Sequence, residues 1–163
     1  MDRIKVTKAG YDLLIQKKDE LIRRLRQAQT AKGLAAAGDS NSWHDNSEFE
    51  LHAYNEMMLN SEVAELIKII DTIQIVGIPA QNDTAEIGHV ITLLFGDGIE
   101  KTYEVGGHGE GDLYGSPPRL SYTAPLISQF IGQQKGYSSI VLSGGKQHTV
   151  VLTNITISTE AGN

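Results

Sequence analysis

The first part of the chain carries a narrow hydrophobic stripe inside an otherwise charged segment. After Thr7, a suitable N-cap residue, apolar side chains recur at Leu14, Leu21, Leu25 and Ala28, mostly at steps of seven and four. The positions between them are largely polar, so the stripe suits one partner helix rather than a broad core. The pattern predicts one helix of about 28 residues, which is a rod roughly 40 Å long.

A second helical stripe follows between residues 49 and 73. Its apolar positions alternate steps of four and three, as expected for a coiled-coil seam. They are Leu59, Val63, Leu66, Ile70 and Ile73. We expect Leu51, Tyr54 and Met58 to extend this seam toward the start of the helix, with a slightly shifted phase.

Two capping-box patterns mark the start of the second helix. Ser47 with Glu50, and Asp45 with Glu48, have the three-residue spacing that satisfies free backbone N–H groups at a helix start. Two narrow-seam helices joined by a short linker are expected to fold back as an antiparallel hairpin. The stretch GDSNSWHDNSEFE, residues 38–50, is then the tip of a rod.

Beyond residue 73 the pattern changes to short β-branched runs separated by turn residues. The runs IQIVGIP, EIGHVITLLF, EKTYEVGG, SSIVLS and HTVVLTNITIS predict strands. Hairpin turns are predicted at 96–98 and 143–146, a flexible glycine-rich loop at 106–112, and one short helix from APLISQFIGQQ. The chain is therefore predicted to be α+β, with a helical hairpin over 1–74 and an antiparallel sheet domain with one helix over 75–163.

The charge distribution is uneven. The 163-residue chain has a formal net charge of −6, yet residues 1–33 hold nine of its fourteen Lys and Arg, and residues 34–67 hold seven acidic and no basic side chains. This asymmetry suggests one region that faces anions and another that faces cations. The chain has no cysteine, no signal-peptide pattern and no apolar run near the roughly 20 residues of a membrane span. We expect a soluble cytoplasmic protein.

The acidic tip is the main candidate for chemistry. Helix capping explains Asp45, Glu48 and Glu50, because acidic residues are favoured beside a helix N-terminus. Capping does not explain Asp39 or the missing basic partners. Clustered carboxylates repel one another unless a cation relieves them, and such oxygen ligands suit Mg²⁺. The tip could provide half of a metal site that another molecule completes.

Residues near the tip allow more than one interpretation. His44 is best explained as a solvated loop histidine, whereas Trp43 could stiffen the tip or stack on a base. The basic face of the first helix is either a solvated surface or a guide for a phosphate backbone. That face consists of Arg23, Arg24, Arg26 and Lys32.

The order and spacing of several segments resemble the bacterial GreA/GreB transcript-cleavage factors along nearly the whole chain. The segments KVTKAGYDLLIQKKDELIRRL and DNSEFELHAYNE are similar to the family's first helix and tip. TAPLISQFIGQQKG is similar to its Ser-Pro-led helix, and IGHVITLLFGDG and GGKQHTVVLTNI to its hairpins. The resemblance implies an FKBP-like second domain over 75–163.

The resemblance also implies a function. Such factors insert the hairpin into the secondary channel of RNA polymerase, where two tip acids help the polymerase hold a second Mg²⁺ that hydrolyses backtracked RNA. Asp39 and Asp45 match these acids, so Mg²⁺ would be held jointly with the polymerase and not stably by this chain alone. Arg24, Arg26 and Lys32 would lie near the RNA 3′ end. The factor itself would not be an enzyme, and we expect a monomer.

The docking surface is also implied by the resemblance. The family's docking loop precedes its C-terminal helix, with Ala-Pro here replacing Ser-Pro. The matching residues are Ser121, Tyr122, Thr123, Ala124, Pro125 and Leu126. They would contact the rim of the polymerase channel.

Two alternatives to cleavage remain open. One follows from a departure from the family's acid spacing, and the other from the expected FKBP-like fold. The family's two acids are three residues apart, whereas Asp45 lies six residues after Asp39, so a channel-binding regulator that does not cleave is the alternative to a cleavage factor. A prolyl isomerase is the third hypothesis, based on the FKBP-like domain. It fits least, because such pockets are usually lined by aromatic residues and residues 76–163 contain no Trp.

Overall fold

The computed structural model describes residues 3–38, 47–143 and 145–158. The molecule divides into two compact units. The hairpin unit is Tyr11–Ile73, and the sheet unit combines Met1–Gly10 with Gln74–Asn163. The predicted order, a helical hairpin followed by a small sheet domain, is confirmed. The first ten residues differ from the prediction of a hairpin over 1–74, because they group with the sheet unit.

Two long helices form the hairpin unit. Helix α1 is Lys8–Gly38 and helix α2 is Ser47–Asp71. One apolar cluster joins them, with Leu21, Leu59 and Leu66 buried at its centre. Around these pack the partly buried residues Leu14, Leu25, Ala28, Val63 and Ile70. The seam is therefore as narrow as the sequence predicts.

The early part of α2 departs from the predicted seam. Leu51, Tyr54 and Met58 are exposed. At about 100° per residue, they lie roughly 80°, 140° and 100° around the helix from Leu59, which is too far to share its face. Ile73 also leaves the predicted helix and begins the short strand β2, Ile73–Ile75.

The sheet unit is built on a five-stranded sheet. Its strands are β3 (His89–Phe95), β4 (Glu100–Gly106), β5 (Arg119–Ser121), β6 (Ser138–Ser143) and β7 (Lys146–Ile157). The spatial order is β5-β4-β3-β7-β6, so β3 pairs on both sides. The predicted turns are confirmed: β3 and β4 form an antiparallel hairpin at 96–98, and Ser143 faces Lys146 across the turn from β6 to β7.

The core of the sheet unit lies on one face of the sheet. Alternate residues of β3 and β7 point inward, including Ile91, Leu93, Val150 and Leu152, all fully buried. Phe130, from the segment between β5 and β6, covers them. Among the described residues, no helix is both long and apolar enough to cross a membrane.

Two details of the predicted sheet domain are wrong. Residues 124–133 form consecutive hydrogen-bonded turns instead of an α-helix, since several of their bonds span only three residues, such as Phe130 N to Ile127 O at 2.9 Å. The segment is shorter than the 12–15 residues that sustain a helix alone, and Gly132, with φ of 75°, ends it. The sheet is also mixed rather than antiparallel, because β5 runs parallel to β4.

The chain start is fixed to the sheet unit by a carboxylate from a distant loop. Strand β1, Ile4–Val6, pairs with β2, and Thr7 then caps α1 by accepting the N–H of Gly10 at 3.0 Å. Glu110 accepts the Thr7 N–H at 2.7 Å and the Thr7 hydroxyl at 2.8 Å. In a capping box the residue in the Gly10 position would supply this carboxylate.

The glycines around Glu110 make this contact possible. A Cβ on Gly10 would lie 2.0 Å from the Glu110 Oε1 atom, and one on Gly107 would lie 2.3 Å from it. The His108 N–H also donates to the Lys5 carbonyl at 2.9 Å. The glycine-rich segment 106–112 therefore contacts residues 5–10 through specific hydrogen bonds, which the prediction of a flexible loop did not include.

Replacing Glu110 should loosen the chain start. Glu110→Ala removes two hydrogen bonds to a charged acceptor, and we expect the free energy of unfolding to fall by about 2 kcal/mol. Glu110→Gln keeps one acceptor oxygen and should lose less. Denaturant unfolding followed by circular dichroism measures both, with exposed Glu86→Ala as the control. Equal stability of Glu110→Ala and wild type would show that the contact contributes nothing.

Candidate functional site

The link between α1 and α2 is the predicted tip. Helix α1 ends at Gly38 and α2 begins at Ser47, so the tip acids belong to the intervening segment 39–46. Asp39, Trp43, His44 and Asp45 therefore lie outside the described residues. Their roles remain predictions from the sequence.

The first turn of α2 carries the described part of the acidic tip. Glu48 and Glu50 are exposed, and both belong to the first turn, where the helix dipole favours negative charge. Glu48 Oε1 lies 3.8 Å from His52 Nε2, one turn along the helix. Within the described ranges, no group of three or more histidine or acidic side chains is arranged to hold a metal ion.

A cross-helix ion pair lies beyond the tip. The Lys32 ammonium of α1 pairs with the Glu56 carboxylate of α2, and Gln29 donates a further hydrogen bond to Glu56 at 3.3 Å. The hydrogen bond from Lys32 is the main cause that lowers the pKa of Glu56. Because Lys32 lies near the end of α1 and Glu56 near the start of α2, the helices run in opposite directions.

The other predicted RNA-proximal residues are exposed. Arg24 and Arg26 lie on the surface of α1. Arg23, one residue earlier, makes a two-bond ion pair with Glu20, at 2.6 and 2.8 Å. Lys32 differs from Arg24 and Arg26, since its charge is already matched by Glu56.

The predicted docking segment 121–126 divides into inward and outward residues. Tyr122, Ala124 and Leu126 pack against the core of the sheet unit. Thr123 and Pro125 are exposed, and Ser121 holds Thr123 through a hydroxyl contact of 2.9 Å. Thr123 and Pro125 are the exposed members of the segment, so both can contact a partner without disturbing the core.

Sequence reasoning missed two exposed apolar features. Leu113 and Tyr114 project from the loop before β5, and Tyr114 is fully exposed. On α2, Leu51, Tyr54 and Met58 are exposed where a seam is predicted. A helical-wheel projection from Leu59 would have revealed the second feature, because their angular offset from the seam is large.

The described residues form a two-helix hairpin with exposed acidic side chains at the start of α2, followed by a small mixed-sheet unit. Curated relatives match this chain over most of its length. The transcription elongation factor GreA of Paracoccus denitrificans is 28% identical over 157 residues, covering 93% of this chain and 97% of the relative. A protein of the same name from Thermotoga neapolitana is 23% identical over 137 residues, covering 83% and 86%.

The chain is therefore similar to proteins named GreA along most of its length, in agreement with the resemblance noted in the sequence. No protein-family model matches the chain. Among solved structures, GreA factor homolog 1 of Thermus thermophilus is 19% identical, with a TM-score of 0.42 over 94% of this chain and 99% of that one.

The Lys32–Glu56 pair predicts a pH dependence. The hydrogen bond from Lys32 holds the folded-state pKa of Glu56 below its ordinary value, so the pair stabilises the hairpin above the unfolded-state pKa and this stability is lost as pH falls through the folded-state pKa. At neutral pH, Glu56→Gln should therefore melt at a lower temperature than wild type, and the difference should vanish in acid. Thermal melts of the full chain at 222 nm measure this.

Exposed Glu62 provides the matched control for that experiment. Glu62→Gln, on the same helix, should melt like wild type at every pH. A Glu56→Gln difference that persists or grows in acid would contradict the pairing.

Proposed function

We propose that the chain is a transcription elongation factor that inserts its helical hairpin into the secondary channel of a bacterial RNA polymerase. Support comes from relatives named as transcription elongation factors that align along nearly the whole chain. Such a factor would work in the bacterial cytoplasm and would act on the polymerase rather than as an enzyme alone.

The observation that carries the proposal is the narrow seam of the hairpin. Few side chains of each helix pack into the apolar cluster that joins α1 and α2. Most of the surface of both helices is therefore free for an enclosing partner. Helix α1, with 31 residues, extends about 45 Å at 1.5 Å per residue. A slim two-helix unit of this length is suited to carry residues 39–46 into a deep channel.

In the proposed mechanism, the tip supplies carboxylates to the polymerase active centre. Asp39 and Asp45 would share a Mg²⁺ with the polymerase, and this ion would supply an activated water for hydrolysis of backtracked RNA. Asp45 lies two residues before α2, so the positive end of that helix would offset part of the repulsion between the acids.

Basic residues of α1 would assist by attracting the RNA backbone. Arg24 and Arg26 are exposed and suited to this role. Lys32 is less suited than the sequence suggests, because its ammonium pairs with Glu56. The nascent RNA 3′ end is the proposed target of the two arginines.

A non-cleaving channel regulator is the second candidate. The observation that favours it is the six-residue step from Asp39 to Asp45, where the family pattern has three. In that case the tip would occupy the channel and act by blocking or repelling. Both candidates share the polymerase as partner and differ only in what the tip does.

Neutralising either tip acid tests cleavage. Asp39→Asn or Asp45→Asn should slow transcript cleavage by about 100-fold or more, because loss of a charge-stabilising group costs about 3 kcal/mol in the transition state. Labelled RNA in a backtracked polymerase complex is the measurement. Polymerase affinity should barely change, and Glu48→Gln should have a smaller effect.

The wild-type result separates the two candidates. Cleavage by the wild-type protein at saturating Mg²⁺ supports the first. Binding to polymerase without cleavage supports the regulator. Absence of binding would contradict both.

The outward pair of the docking segment provides a further test. Thr123→Glu with Pro125→Glu should lower polymerase affinity at least about tenfold, because it places charge in a desolvated contact. Thermal stability should stay near wild type, since both residues are exposed. Thr149→Glu, an exposed threonine on β7, is the control. Unchanged affinity of the double variant would place the contact elsewhere.

A further inference from the structure

Strand β6 is an edge of the five-stranded sheet, and its outer side has no partner strand among the described residues. It ends the spatial order and pairs with β7 alone. The Leu152 N–H donates to the Tyr137 carbonyl at 2.8 Å, so the backbone groups of Tyr137 face β7. Because these groups alternate along an antiparallel strand, the N–H and C=O of Ser138, Ile140 and Leu142 point away from β7.

The side chains of this edge are apolar and exposed. Ile140 and Leu142 are 62% and 71% exposed, whereas Val141 between them is buried in the core. The exposed side chains therefore belong to the same residues whose backbone groups point outward. No charged residue lies between Gly136 and Gly145. An uncharged apolar edge strand is a ready template for pairing with another extended chain.

The opposite edge of the sheet is protected. Strand β5 has three residues and begins with the charged Arg119. The backbone of Asp112 covers its outer side, since Asp112 and Arg119 exchange N–H···O bonds of 2.8 and 2.7 Å. Short strands, charges and covering segments are the usual protection of sheet edges. In the part of the chain that the structure describes, β6 has no such protection, which indicates that its edge is kept for a partner.

The charges around β6 indicate the chemistry of that partner. The chain has a net charge of −6, yet no acidic residue occurs between Asp112 and Glu160. Two exposed lysines lie near opposite ends of β6. Lys135 precedes the strand by three residues, and Lys146 faces Ser143 across the turn. A segment that pairs along β6 should therefore carry acidic residues at its ends.

We propose that β6 binds an extended, acidic segment of a partner protein, which adds to the sheet as a further strand. Its backbone would pair with Ser138, Ile140 and Leu142, and its alternate apolar side chains would cover Ile140 and Leu142. Antiparallel addition is favoured, because antiparallel pairs are slightly more stable per residue. The proposal does not rest on the proposed function, since it uses no residue of the tip or of the docking segment.

A second copy of the chain fits this edge less well. Pairing of β6 with β6 in either direction would bring Lys135 and Lys146 of one copy beside lysines of the other. Like charges placed opposite each other destabilise a strand pair. An acidic segment instead matches both lysines.

A synthetic peptide that alternates valine and threonine, with glutamates at both ends, tests the proposal on the full chain. On binding, amide hydrogen exchange at Ser138, Ile140 and Leu142 should slow at least about tenfold, because their N–H groups gain acceptors. Exchange at Ser139 and Val141 should change less, since their N–H groups already face β7. Nuclear magnetic resonance of the isotope-labelled protein measures each amide separately.

Two variants and a control locate the contact. Ile140→Pro removes an outward N–H, which edge strands tolerate, and Leu142→Lys adds a charge to the edge. Each should weaken peptide binding at least about tenfold, with melting temperatures near that of wild type. Thr102→Lys, at an exposed position on β4, should bind like wild type. A lysine-flanked version of the peptide should also bind at least about tenfold more weakly, because it meets Lys135 and Lys146.

Several results would overturn the proposal. They are an absence of slowed exchange at the outward amides, equal slowing of outward and inward amides, and unchanged peptide binding by Leu142→Lys. Sedimentation of the wild-type protein alone examines the other occupant. A dimer that Leu142→Lys abolishes would show that a second copy fills this edge, and would also overturn the proposal.

Discussion

The Glu110 carboxylate fixes the start of the long first helix to the sheet unit. It accepts two hydrogen bonds from Thr7, and it does so through space left by Gly10 and Gly107. A helix start has four N–H groups without partners in the helix, so an acceptor placed at this partly buried start stabilises it. Here the acceptor comes from about 100 residues further along the chain. Strand β1, the first turn of α1 and the loop 106–112 are thereby ordered together.

The hairpin unit is held together by a small set of buried apolar side chains. Leu21, Leu59 and Leu66 are its buried centre, and a fully buried leucine contributes about 1.5–3 kcal/mol. With so little apolar burial, polar contacts such as Lys32–Glu56 become important for alignment of the helices. The narrow seam also leaves most of the helix surface free.

The candidate site could be predicted only in part. The identities of its residues can be read from the sequence, but the contacts of their side chains depend on residues distant in the chain. The acidic character of residues 38–50 and the six-residue step between Asp39 and Asp45 follow directly from the sequence. The pairing of the Lys32 ammonium cannot be read from the sequence, because it depends on Glu56 facing Lys32 across the hairpin. Likewise, periodicity does not distinguish the exposed Thr123 and Pro125 from Tyr122 and Ala124, which pack on the core.

The sequence by itself determined the two helices, the central part of their seam, strands β3, β4, β6 and β7, and the hairpin turns, because each depends on residues close together in the chain. Hydrophobic periodicity and the presence of turn-forming residues are local properties of the sequence. Tertiary structure decided the parallel pairing of β5 with β4, and the turns over 124–133 in place of a helix. It also decided the role of Glu110. These features depend on contacts between distant segments, where packing and the pairing of buried polar groups override local preference.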